Sequence, residues 1–187
     1  LKNKFNITYV VHLHGNFYNN LIYLNKINKK DNISIYPYEY FLSFPDIIIS
    51  FLKLSFYKFS IPKIYFMNEE ISSLLYIEFS RSNISLNSWL IYNSSRKIIR
   101  LHKILKYLFL TYENKSWENM MLLGFQKFSP KTKIIGYQHS VVYPAAAGMF
   151  MKLDDINIKP LPNSIITVGD ITKKLINQFS DYETGFI

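Results

Sequence analysis

The sequence predicts an α/β fold, a Rossmann-like parallel sheet flanked by helices, and three observations carry that expectation. Short apolar runs recur through the second half of the chain, as YLFLTY from Tyr107, KIIGYQ from Lys133 and SIITV from Ser164. Helical patterns alternate with them, from about Lys115 to Phe128 and across DITKKLINQF. Strand and helix in alternation imply parallel pairing through crossover connections. The chain has 187 residues, 49% of them hydrophobic, enough for one domain of the usual size of about 100–150 residues with the start of more.

The elements follow in order. ITYVVHLHG, Ile7 to Gly15, is a β-branched run closed by glycine and reads as a buried strand. NISIYPYEY offers a short strand, Ile33 to Tyr36, ended by Pro37. FPDIIISFLKLSFYKFS opens with Pro45 and Asp46 and is then apolar nearly all round, with Lys53 and Lys58 interrupting, so a helix is expected. Its uncharged part, Ile47 to Leu52, is far short of the ~20 apolar residues of a membrane span. We read it as a core helix in preference to one docked on an anionic bilayer.

IPKIYF resembles a strand with Pro62 near its start. Asn68 then caps a helix whose first turn carries Glu69 and Glu70, acids favoured by the helix dipole. Ile84 to Leu105 forms one long helix or two short ones, with Arg96, Lys97, Arg100 and Lys103 on its polar surface and His102 in solvent. NIKPLPN, with Pro160 and Pro162, is a loop entering the strand SIITV.

A net charge of +9 favours an anionic partner: a membrane face, a nucleic acid or a phosphorylated small molecule. The lysines are scattered among Ile, Asn and Tyr, which an AT-rich genome would also produce. There are no cysteines, which removes disulfides, thiolate metal sites and cysteine nucleophiles together. LKNKFNITYVVHLHG lacks the features of a signal peptide. The expected location is therefore the cytoplasm, at the inner face of the cell membrane where an anionic leaflet attracts the protein. A start at Leu1 and a stop soon after a helical pattern lead us to expect a fragment of a longer protein.

In open parallel sheets ligands sit beyond the carboxyl ends of the strands. Those ends carry His12, His14 and Gly15; Glu113 and Asn114; His139 and Ser140; and Gly169 and Asp170. If all the strands are parallel, these groups share one rim. Glu113, beside a helix start, suits a general base or an acceptor for substrate hydroxyls, against the plainer reading of a dipole-stabilising acid. His139 carries the one side-chain type whose unperturbed pKa lies near neutrality, which suits a base or a phosphate contact. The stripe Trp117, Met120, Met121, Gly124, Phe125 and Phe128 marks the buried face of its helix, with Glu118 beside that face. His12 and His14 point the same way, but no third ligand completes a metal site. Gly169 and Asp170 could bring backbone N–H groups to a phosphate, or be an ordinary helix cap. No GxGxxG, P-loop or GxSxG is present.

The succession YENKSWE, GYQHS and LPNSIITVGD resembles the acid-x-x-x-Trp-Glu, Tyr-Gln-His and Pro-Asp-x-Ile-x-x-x-Gly run of bacterial surface-carbohydrate (capsule and O-antigen) biosynthesis proteins, which are similar to GT-B glycosyltransferases. The resemblance covers Tyr107 to about Phe179. It implies that residues 1–187 are a single Rossmann-like N-terminal domain on the acceptor side, lacking the C-terminal donor domain. Glu113, Glu118 and His139 are the matching motif positions. Asn163 departs from the family's usual Asp at a turn.

The resemblance further implies transfer of a sugar from a nucleotide-activated donor to a glycan or lipid-linked acceptor, with no tightly bound cofactor or metal. Glu113 and His139 are the expected catalytic residues. Glu118, Gln138, Ser140, His14, Gly15, Gly169 and Asp170 are the expected substrate contacts. The expected partners are the nucleotide-sugar, the acceptor and an anionic membrane. A non-catalytic acceptor-binding or assembly module is the alternative, and an RNA-binding protein ranks last because no RNP-type aromatic motif is present.

Overall fold

Apolar strands in parallel register build the layer that carries the candidate site. The structure, a computed structural model, describes residues 7–11, 16–31, 34–56, 62–81, 84–102, 104–142, 147–152, 154 and 159–181. The N-terminal elements are β1 (Thr8–Val11), α1 (Phe17–Asp31), β2 (Ser34–Pro37), a 3-10 turn (Tyr38–Phe41) and α2 (Phe44–Ser55). A hairpin of β3 (Tyr65–Phe66) and β4 (Glu69–Glu70) leads to α3 (Ser72–Arg81) and α4 (Ile84–Leu101). Then come β5 (Tyr107–Thr111), α5 (Ser116–Phe128), β6 (Lys133–Gln138), a 3-10 turn (Ala147–Met149), β7 (Ser164–Thr167) and α6 (Asp170–Phe179).

The class is α/β with small parallel sheets. β6 is central, with Tyr107 to Thr111 of β5 in register with Lys133 to Tyr137 on one side and β7 on the other. The expected single rim is not formed, because β1 pairs in parallel with β2 in a separate two-stranded sheet. The apolar pattern of a strand marks its burial and leaves its neighbour unspecified. Val10 and Tyr36 of this smaller sheet pack against the same core as the larger one, a core joining Tyr38, Ile91, Phe125, Ile134, Ile165 and Ile176. His12, His14 and Gly15 lie outside the described residues, as do Ile33, Lys58 and Lys103.

Three further expectations are corrected. Asn68 does not cap a helix: Met67 and Asn68 both have positive φ and turn the β3–β4 hairpin, so Glu69 and Glu70 are strand residues and the helix begins at Ser72. Asparagine adopts the left-handed region readily, which suits it to a tight hairpin turn. Helix α2 is not a core helix, since Ile47, Ile48, Ile49, Phe51 and Leu52 are exposed and the buried positions are Asp46 and Ser50. Arg96 and Lys97 are not merely a polar surface, because both reach Asp46, at 3.5 and 2.5 Å.

Asp46 also accepts the Ser43 backbone N–H at 2.8 Å and its hydroxyl at 2.5 Å, closing the N-terminus of α2. Burial alone would raise this carboxyl. Hydrogen bonds from Lys97 and Ser43 outweigh burial and take it from 3.8 down to about 2.

The α4–α5 seam is made close by small residues. Ser94 and Ser95 are fully buried and donate their hydroxyls to the Ile91 and Tyr92 carbonyls of their own helix. Gly124 faces Ser95, and a Cβ there would stand 1.8 Å from Ser95 Oγ. Met121, Leu122 and Phe125 complete the buried face of α5. His102 is half-buried rather than solvated. Among the described residues no helix is long and apolar enough to cross a membrane.

Candidate functional site

The C-terminal edge of the β5–β6–β7 sheet brings together most of the residues that the sequence singles out. The ladder between β5 and β6 runs one residue beyond β5, where the Tyr112 N–H donates to the Tyr137 carbonyl at 2.9 Å. Tyr112 turns inward and is fully buried, so Glu113 emerges at the rim beside the end of β6. Asn114 then adopts φ 57°. Its amide donates to the Gly148 carbonyl at 2.5 Å, and its carbonyl oxygen accepts from Asn119 at 3.0 Å. The loop is thus tied both to the connection after β6 and to α5.

Glu118 is only 1% exposed and lies on the buried face of α5, not beside it. Its Oε2 accepts the backbone N–H groups of Glu113 and Lys115, each at 2.8 Å. One buried carboxylate therefore satisfies two donors at the start of the helix and fixes the loop that presents Glu113. Burial pushes the Glu118 carboxyl above its usual 4.5, and the Glu113 charge adds to this, against the opposing hydrogen bonds and the Lys115 charge.

Around Glu113 four side chains converge. Lys115 forms an ion pair with Oε2, and His139 Nε2 lies 3.9 Å from Oε1. The Ser140 hydroxyl donates to the same carboxylate. Gln138, itself buried, donates from Nε2 to the Ser140 carbonyl and, at 3.1 Å, to its hydroxyl oxygen. The hydrogen bonds from Lys115 and Ser140 hold Glu113 below its ordinary value, helped by the charges of Lys115 and His139 and opposed by burial. The same contact raises Lys115. His139 stacks against Tyr137, with ring centroids 6.1 Å apart, and its side chain is 48% exposed.

Gly169 and Asp170 sit one strand further along the same edge. The link is through backbone: Val168 N–H donates to the Gln138 carbonyl at 3.2 Å, and Gly169, at φ 84°, turns the chain into α6. Both residues are exposed. Asn163 accepts the Ile134 N–H at 2.7 Å through its side-chain oxygen and returns its own N–H to the Ile134 carbonyl at 2.8 Å. An Asp at this turn could accept the same bond, so the departure at Asn163 keeps the turn.

Two residues of the cluster escaped the sequence reading. Lys115 reads in the sequence as a helix start, and its place two residues after Glu113 in a tight loop is the signal for the ion pair. Tyr137 lies on a strand, two residues before His139 and hence on the same face, which is the spacing its ring contact uses. Gln138 Oε1 and Asn119 Oδ1 are buried acceptors without a hydrogen-bond partner. Among the described residues no group of His, Asp or Glu could hold a metal ion. An open cleft of about 310 Å³ lies elsewhere, lined by Tyr40, Phe41, Leu42, Lys97, Arg100 and Leu101.

The arrangement is an ionised carboxylate fixed by a cation and a hydroxyl, facing a half-exposed imidazole. The carboxylate can orient the ring, and the ring can take a proton from a bound hydroxyl. No protein-family model, curated protein or solved structure matches the chain.

Proposed function

We propose that this chain is the acceptor-side part of a glycosyltransferase-like protein of surface-polysaccharide synthesis. It would transfer a sugar from a nucleotide-activated donor to a glycan or lipid-linked acceptor. The observation that carries the reading is the meeting of Glu113 and His139 at the carboxyl edge of a parallel sheet, 3.9 Å apart. The run YENKSWE, GYQHS, LPNSIITVGD supports it by resemblance.

In this reading His139 is the base. A carboxyl held low by Lys115 and Ser140 is a poor proton acceptor at neutral pH, which leaves the half-exposed imidazole beside it for that role. Glu113 then touches the ring and stabilises the imidazolium that forms. Glu118 and Gln138 are positioning residues, since both are buried behind the loop. Ser140, Gly169 and Asp170 remain rim residues available to the substrate.

A second reading, a non-catalytic acceptor-binding module, is favoured by one observation. The ion pair to Lys115 occupies one oxygen of Glu113, and a neutralised carboxylate is a plain structural contact. The test is sugar transfer from a labelled nucleotide-sugar by the full-length protein carrying His139→Gln or Glu113→Gln. Loss of about 10²-fold or more in kcat for His139→Gln, the scale of a missing general base, is the expected result. Unchanged transfer by both variants would leave the binding module.

A further inference from the structure

Helix α2 is built inside out. Its polar residues Asp46 and Ser50 face the protein, Asp46 against Lys97 and Arg96, and Ser50 accepting from the Asn93 amide at 2.9 Å. At 3.6 residues per turn, more than half of the circumference is left to Phe44, Ile47, Ile48, Phe51, Leu52 and Phe56, each at least 43% exposed. The polar side chain on that arc, Ser55, donates its hydroxyl to the Phe51 carbonyl at 2.9 Å. Nothing on the arc asks for water. A contiguous apolar surface of this kind marks an interaction site.

The occupant can be argued from three features. Protein interfaces carry roughly one hydrogen bond per 100–200 Å², and this arc offers no side-chain group free to make one. Charge favours an anionic surface: Lys53 is exposed on the same helix, 5.4 Å from the Trp89 ring, and the chain carries a net charge of +9. The acid of α2, Asp46, is already neutralised by Lys97 and Arg96. The helix, at 12 residues, is about 18 Å long and cannot span a hydrocarbon core of about 30 Å.

We infer that α2 lies flat in an anionic lipid bilayer, its Ile and Phe side chains among the acyl chains and Lys53 toward the lipid phosphates. This surface is independent of the sugar-transfer reading and uses none of its residues. The physical design is that of an interfacial helix whose polar face is satisfied by protein instead of by water.

The test is co-sedimentation of the full chain with phosphatidylcholine vesicles, with and without phosphatidylglycerol. The chain is expected to pellet with the anionic vesicles and to be released by salt. Ile48→Glu with Phe51→Glu should weaken partitioning by about tenfold or more, from the apolar area withdrawn. Lys53→Gln should weaken it by about fivefold. Circular dichroism is expected to be unchanged, because these side chains are exposed, and Ile48→Ser with Phe51→Ser supplies a milder pair should the first misfold. Equal partitioning of wild type and variants would overturn the proposal. So would a wild type that ignores vesicles and sediments as a dimer broken by these substitutions, which would assign the arc to a second copy.

Discussion

Glu118 Oε2 meets the backbone N–H of Glu113 at 2.8 Å, so the helix that follows the loop holds the acid that precedes it. Removing this carboxylate would leave two part-buried backbone donors without their acceptor. Glu118→Ala is expected to destabilise the chain by about 2–3 kcal/mol, seen as a fall in Tm of roughly 5–10 °C. Glu118→Gln retains an acceptor oxygen and should cost about 1 kcal/mol. Thermal unfolding of the two variants checks the order.

The two carboxyls of this contact titrate in opposite senses. Glu113 is held low, so its contribution is present above pH 4.5 and is lost as pH falls through its folded value. Glu118 is raised by burial, so its contribution is complete below pH 4.5 and is lost as pH rises through its folded value. The stability margin of the wild type over Glu118→Gln should therefore shrink as pH climbs above 4.5. Denaturant unfolding at a series of pH values measures it, and a margin that grows with pH would contradict the assignment.

Asp46 provides the acid limb. With its carboxyl lowered from 3.8 to about 2, the ion pairs to Lys97 and Arg96 stabilise the fold above pH 3.8 and are lost as pH falls toward 2. Asp46→Asn should remove on the order of 1–2 kcal/mol at neutral pH, allowing for solvent screening of Arg96. It should also flatten the acid transition, which acid titration followed by circular dichroism would show.

At the α4–α5 seam, Gly124→Ala would place a Cβ 1.8 Å from Ser95 Oγ and 2.9 Å from its Cβ. The hydroxyl can rotate, but the Cβ contact remains. A loss of about 1–3 kcal/mol is expected from overpacking. Combining Gly124→Ala with Ser95→Gly should recover part of the lost Tm, because the double variant removes the clashing atoms.

Asn114 combines a left-handed backbone with a side-chain bond to Gly148. Asn114→Val loses both and should cost about 2 kcal/mol, while Asn114→Gly keeps the backbone and loses only the tether. A smaller Tm loss for glycine than for valine is the expected outcome.

Much of the C-terminal half was legible in the sequence. β5, α5, β6, β7 and α6 fall within a residue or two of the expected bounds, because each is a short apolar run set between Gly, Pro or polar turns. Glu113, His139 and Ser140 could be grouped from strand ends alone, since parallel register places those ends together. The N-terminal half was less legible for a physical reason. Periodicity shows that a helix has an apolar side but not whether that side meets protein, and in α2 it faces outward. Pairing partners are equally silent, so nothing in ITYVVHLHG distinguishes a strand paired with β2 from one added to β5. The hairpin at Met67 and Asn68 was missed because an asparagine before two acids also fits a helix start.

Gly136 lies under the ring of Tyr112, where an added Cβ would stand 2.9 Å from Tyr112 Cβ and 3.2 Å from Pro162 Cγ. The bare backbone of the middle strand is thus the seat on which Tyr112 rests, and Glu113 is the next residue along the chain. A side chain at Gly136 would have to displace Tyr112, and the loop that presents Glu113 begins at the residue so displaced.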